Sequence, residues 1–310
     1  MFSSIWSDIK RQFNYGNTLT RIILVNIGVF VGAVLLRLIM MPIGDGGGFQ
    51  RFIRYFEVGA DWQHNLFFPW VFFTHMFLHT DFWHILWNML MLHWFGRIVG
   101  DLLGDRRILP IYLLGGLAGG LSYFIMANVP TPWDFGSFAL GASAALMAIL
   151  VVAGKTAPDY NISLILIGDV KLKFIVAVLF LLDLIALSNN NNSGGSFGHL
   201  GGGLMGYIIA SQLQRGNDLT APVNRLTERL SSFFSNLFSK RRPSPRVAYR
   251  HVDVRRSQSS PSAAAPRRSA SREDRVPQEK LDAILDKIKQ TGYESLSADE
   301  KEFLFNASKQ

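Results

Sequence analysis

The sequence predicts an all-α polytopic membrane protein: a bundle of six transmembrane helices, then a cytoplasmic tail ending in a small helical hairpin. Three observations predict it. Long uncharged apolar runs fill the first two thirds of the chain, and a run of about 18 or more apolar residues is a span candidate. Lys and Arg alternate between connecting segments as an even number of spans requires. The residues after 213 are polar. Bulk composition decides little, because 49% hydrophobic and 17% charged residues in a 310-residue chain also fit a soluble protein. With no cysteine, disulfides and thiolate metal sites are excluded.

Residues 1–20 read as an amphipathic cytoplasmic N-terminus. Phe2, Ile5, Trp6, Ile9 and Phe13 recur at helical spacing, which suits a helix lying on the membrane surface. No continuous apolar core and no small-residue cleavage site occur there, so it does not read as a signal peptide. Residues 21–213 carry six spans, near 21–41, 83–100, 108–128, 139–154, 173–188 and 197–213. Lys10, Arg11 and Arg21 lie at the first, Arg97, Arg106 and Arg107 in the second loop, and Lys155, Lys171 and Lys173 in the fourth. The third loop shows only Asp134, and the fifth, NNNNSGGS, is uncharged. The long first loop sets Arg51 and Arg54 against Asp45, Glu57, Asp61 and Asp81. Cations gather on the cytoplasmic side. Both termini are therefore expected in the cytoplasm, and the chain in the cell membrane as a multi-pass protein.

Residues 214–242 read as an interfacial amphipathic helix with a polybasic edge. Leu226, Leu230, Phe233, Leu237 and Phe238 form the stripe, and KRRPSPR follows. Anionic lipid would attract such an edge by about 1 kcal/mol per cation near the surface; a helix packed on a protein partner is the alternative. Residues 243–275, rich in Ser, Pro, Ala and Arg, are expected to form a disordered linker. Between 214 and 275, 14 Lys and Arg meet 5 Asp and Glu, which accounts for the whole formal charge of +8. Beside a membrane span the expected counter-charge is lipid, not nucleic acid. Residues 276–310 regain order. Leu281, Ile284, Leu285 and Ile288 share a face, and Pro277 suits a first turn. Ser297 and Glu300 form a capping box after the TGY stop. A hairpin this small is marginal alone. It is expected to dock on another protein or a second copy of the chain.

Polar side chains inside spans are costly and read first as functional. His84 and Asn88 lie at i and i+4 where the second span opens, Ser143 where the fourth opens, and His199 where the sixth opens. Spans two, four and six all run from outside to inside, so these residues share a depth just below the outer surface and can converge. Gly202 and Gly206, with Gly141, Ala142, Ala144 and Ala145, let spans four and six approach closely. A serine needs a base to become a nucleophile. His199 fits that role, and His84, Asn88 and the Ser143 backbone N–H can face a developing oxyanion. The spacing offers no carboxylate to orient His199, so a two-residue dyad is expected.

These residues carry a resemblance. His84-x-x-x-Asn88, Gly141-x-Ser143 and His199-x-x-Gly202-x-x-x-Gly206, in that order on alternate spans, resemble the rhomboid family of intramembrane serine proteases. The likeness covers roughly 60–213 and includes PWVFFTHMFLHTDFWH, with His75 and His79. It implies a six-helix bundle that cleaves transmembrane protein substrates within the lipid bilayer, with no metal or cofactor. It implies Ser143 as nucleophile, His199 as base, and His84 and Asn88 at the oxyanion. It further implies a first loop partly in the membrane, entry gated by helix five or the fifth loop, and a narrow site favouring small residues. Two positions depart from the family pattern: Ala144 follows the serine where glycine is common, and Val71 follows Trp70 where arginine is frequent.

Plainer roles compete at each position. A lone serine between small residues is ordinarily a packing residue. His75 and His79 are expected to bond loop backbone, and His93 to face elsewhere. Asp183, toward the outer end of the fifth span, could orient a histidine, but a local hydrogen bond or water contact is the expectation; Arg37 is expected to snorkel. A non-catalytic binder of transmembrane segments would lack Ser143 or His199, yet both are present. A metal-dependent oxidoreductase built on His75, His79, His84 and His93 lacks suitably spaced carboxylates.

Overall fold

The structure, a computed structural model, describes residues 2–41, 47–164, 168–238 and 275–307. The chain divides into two compact units, Met1–Arg242 and Pro243–Gln310.

In the first unit helices follow the apolar runs. Helix α1 covers Phe2–Tyr15 and α2 covers Thr18–Met40. The side chain of Asn17 caps α2 by accepting the Thr20 N–H at 2.9 Å. The Thr18 N–H and hydroxyl donate to the Asp105 carboxylate at 2.9, 2.8 and 2.5 Å, tying the start of α2 to a turn 87 residues away. Three short helices, α3 (Gly48–Ile53), α4 (Trp62–Phe67) and α5 (Val71–Thr74), fold the first loop. Helix α6 (Phe82–Leu103) starts where Asp81 accepts the His84 N–H at 2.8 Å, and ends at Gly104, whose φ of +89° only glycine adopts readily. Helices α7 (Ile108–Ala127), α8 (Ser143–Thr156), α9 (Leu172–Ser188), α10 (Ser193–Gln214) and α11 (Ala221–Phe238) follow.

Helix α8 is the centre of the bundle, with every residue from Ala144 to Gly154 buried. Helices α7 and α10 reach its backbone because glycines face it. A Cβ at Gly119 would stand 2.2 Å from the Ala144 Cβ, one at Gly202 would stand 2.0 Å from the Ala144 carbonyl oxygen, and one at Gly206 would stand 2.4 Å from that of Ala148. Helix α9 is peripheral by contrast. Only Leu172 and Leu187 are buried, whereas Phe174, Val178, Leu181, Leu182, Leu184 and Ile185 are exposed. A buried polar node joins α2, α7 and the first loop: Asn26 Nδ2 donates to the Tyr112 hydroxyl at 3.1 Å, and that hydroxyl donates to the Met76 carbonyl at 2.6 Å.

Among the described residues, Thr18–Met40 and Asp105–Ala127 are long and apolar enough to cross a membrane by length and composition. The other runs fall short for visible reasons. Helix α6 carries His84, Asn88, His93, Arg97 and Asp101, α10 is rich in glycine, and α8 and α9 have 14 and 17 residues against about 20 for a full crossing.

Local differences from expectation have physical causes. The fold is not purely helical: β1 (Val58–Gly59) pairs antiparallel with β2 (Phe138–Ala139), and β3 (Asn161–Leu164) with β4 (Gly168–Lys171). The pairing of Val58 with Ala139 and of Gly59 with Phe138 holds the approach to α8 extended, so that helix starts at Ser143 and not at 139. Helix α10 starts at Ser193, four residues before Phe197, so half of NNNNSGGS is helical. The left-handed Asn190 and Asn192, with φ of 50° and 55°, make the turn before it.

On α11, Leu226, Leu230 and Phe233 are exposed. In the second unit, α12 (Arg275–Thr291) and α13 (Ala298–Ala307) flank Gly292, whose φ is +82°. The Ser297 N–H donates to Glu300 Oε2 at 2.7 Å, and the Glu300 N–H donates to Ser297 Oγ at 3.3 Å, a reciprocal capping box. Lys287 Nζ also reaches Glu300, at 2.9 Å. These bonds, the Ser297 N–H first, pull the Glu300 carboxyl below its ordinary range. Residues 243–274 of the expected linker, all of KRRPSPR, and the side chains of Phe2, Ile5, Leu237 and Phe238 lie outside what is described.

Candidate active site

The first loop sets the entrance to α8. The Gly141 N–H donates to the His75 carbonyl at 2.9 Å, and the Ala142 N–H donates to His79 Nε2 at 3.3 Å. Gly141 has φ +117°, and a Cβ there would stand 2.7 Å from His84 Cε1. Glycine is therefore required twice over, by conformation and by contact with the imidazole. Ser143 follows as the first residue of α8, half-buried at the positive end of the helix dipole.

Ser143, His199, His84 and Asn88 all line one cavity of about 660 Å³. Trp83, Trp87 and Phe138 line it too, as does Asp183. Among the described residues no hydrogen bond joins Ser143 Oγ to His199. Such contacts are often loose before substrate arrives. Asn88 is buried and its amide is engaged, donating to the His84 carbonyl at 2.9 Å and lying 3.4 Å from His79 Nε2. Ala144 does not line the cavity. Its methyl packs at Gly119, so the residue that replaces the family's usual glycine is absorbed between α7 and α8.

The structure corrects the expectation for Asp183. Its Oδ1 stands 2.7 Å from His199 Nδ1, bridging α9 and α10, with the side chains 14% and 21% exposed. A carboxylate inside an apolar helix was itself the signal. Spacing alone does not reveal how α9 is turned about its axis.

The remaining histidines are dispersed. His75 is buried and its Nδ1 donates to the Val71 carbonyl at 3.0 Å; burial pushes its pKa down to about 4. Burial, then the neighbouring His84, also pushes His79 down to about 4. Both rings are neutral near pH 7, which leaves His79 Nε2 free to accept the Ala142 N–H. Among the described residues, no three His, Asp or Glu side chains gather as metal ligands.

Residues 68–215 match the Rhomboid domain model. Over that stretch, just under half of its length, the chain is similar to the rhomboid family, whose members are integral membrane proteins. It is 28% identical over 154 residues to RHOMBOID-like protein 12, mitochondrial, of Arabidopsis thaliana, a match covering 46% of each chain. It is 32% identical over 95 residues to Rhomboid protease GlpG of Salmonella newport (strain SL254), covering 31% of this chain and 33% of that one. The matched stretches thus span less than half the length of either relative. Residues 271–310 match a second model, DUF6576, a family of unknown function.

Proposed function

We propose that this chain is an intramembrane serine endopeptidase that cuts transmembrane segments of other membrane proteins with Ser143 and His199. The observation that carries the reading is the common cavity, in which the first residue of α8 and the histidine of α10 meet His84 and Asn88. Ser143 Oγ attacks the scissile carbonyl carbon as His199 Nε2 takes its proton, and the carbonyl electron pair moves onto oxygen. Donors from His84, the Ser143 backbone N–H and Asn88 face that oxyanion, each worth about 3 kcal/mol by analogy with similar holes. Asn88 gives up one present partner to do so. Collapse breaks the C–N bond, and His199 passes its proton to the leaving amine. Water, deprotonated by His199, then attacks the ester carbonyl, the bond to Ser143 Oγ breaks, and His199 returns its proton to that oxygen.

A short α8 supports water access. Its 14 residues span about 21 Å, against about 30 Å of hydrocarbon. In this reading α2, α6, α7, α8, α9 and α10 are the six spans, both termini are cytoplasmic, and the site opens outward in the cell membrane. Helix α11 lies on anionic lipid, and the second unit docks on a protein partner or a second copy.

The test is cleavage of a single-span reporter in proteoliposomes by the wild-type chain, Ser143→Ala and His199→Ala. Cutting by the wild type alone is expected. Reporter capture without cutting by all three would make the chain a non-catalytic binder of transmembrane segments.

A further inference from the structure

We propose that Asp183 is a positioning residue that fixes the tautomer and orientation of the His199 imidazole. The inference rests on the reading of Ser143 and His199 as nucleophile and base.

Three observations carry it. The Nδ1···Oδ1 separation of 2.7 Å lies in the charge-assisted range. Asp183 is the one carboxylate among the residues that line the cavity, and both partners are part-buried there. Its neighbours along α9, Leu181, Leu182, Leu184 and Ile185, are all apolar. An acidic side chain in such a helix is costly unless paired, and His199 is the partner provided.

A base must present an unprotonated nitrogen to the serine. An ionised Asp183 accepts only, so the hydrogen on the His199 ring must sit on Nδ1. Nε2 is then left with its lone pair, ready for the Ser143 proton. Once that proton arrives the ring is a cation, and the adjacent carboxylate stabilises it without taking a proton itself. The carboxylate stands on the peripheral helix of the cavity wall, so any outward displacement of α9 removes the orienting group from the base.

A bland alternative is a polar pin between α9 and α10. The two roles separate in the reaction with a fluorophosphonate, which needs the nucleophile and base and no known substrate. The inactivation constants kinact and KI would be measured in detergent for the wild type, Asp183→Asn and Asp183→Glu, beside thermal unfolding. The same rates would be measured with Asp183→Asn in the His199→Ala background. Asparagine can donate to Nδ1 and leave the hydrogen on Nε2, the wrong tautomer. The expected result is kinact lower by about 100-fold or more in Asp183→Asn, KI within twofold, partial recovery in Asp183→Glu, and no further loss when His199 is already absent. An unchanged kinact, or equal losses with and without His199, would overturn the positioning role. Equal labelling of wild type and Ser143→Ala would instead defeat the underlying nucleophile assignment, and this inference with it.

Discussion

Adding one methyl group at Gly202 perturbs the helix contact on which the site depends. The new Cβ would stand 2.0 Å from the Ala144 carbonyl oxygen, 2.7 Å from the carbonyl carbon and 3.0 Å from Cα. Carbon and oxygen settle at about 3.3 Å or more even in their closest favourable contacts. All three obstacles are backbone, so no side chain can swing aside, and α8 and α10 must part by about 1 Å. Ala144 directly follows Ser143, so the shift reaches the proposed nucleophile. Misplacement of that size costs about 100-fold in rate, and overpacking costs about 1–3 kcal/mol of stability. Gly32→Ala is the control, because nothing lies within 4 Å of its added Cβ and alanine is the better helix former by about 1 kcal/mol. Reporter cleavage and thermal unfolding in detergent read both effects. We expect Gly202→Ala to fall on both scales and Gly32→Ala on neither. A Gly202→Ala protein that cuts and melts like the wild type would refute the close-approach argument.

Other perturbations follow from the same geometry. Gly141→Ala forces a side chain to adopt φ +117° against the His84 ring, a strain of about 1–3 kcal/mol; reporter cleavage should drop by at least tenfold. Tyr112→Phe leaves the buried Met76 carbonyl without its 2.6 Å partner, so unfolding should become easier by about 1–3 kcal/mol. Glu57, in the first loop, has its pKa pushed up to about 7 by burial, opposed in part by Arg54. The folded form then holds a proton that the unfolded form loses near pH 4.5. Stability should fall as pH rises from about 4.5 to about 7 and level off above. Glu57→Gln should flatten that slope in melting temperatures measured from pH 5 to 8, and an identical slope in both proteins would discount Glu57 as its source.

Much of the architecture was legible because apolar runs and polar interruptions are local. The runs beginning near 21, 83, 108, 139, 173 and 197 all became helices, and His84, Asn88, Ser143 and His199, expected to converge, line one cavity. Ser297 and Glu300 announced their cap because the whole motif lies within four residues. What escaped depends on rotation and on distant pairing. Asp183 could face lipid or cavity by a turn of α9 about its axis, and no periodicity in a helix apolar all round specifies that turn. The pairing of Val58–Gly59 with Phe138–Ala139 joins segments about 80 residues apart, each too short to show a strand pattern. The node of Asn26, Tyr112 and Met76 is equally non-local.

Mapping the covalent adduct left by a fluorophosphonate tests the proposed serine peptidase most directly. Mass spectrometry of the digested, labelled chain should place the phosphonyl group on Ser143 alone, and His199→Ala should carry almost none. An adduct on any other residue, or undiminished labelling of Ser143→Ala, would mean that the hydroxyl at the head of α8 is not the nucleophile.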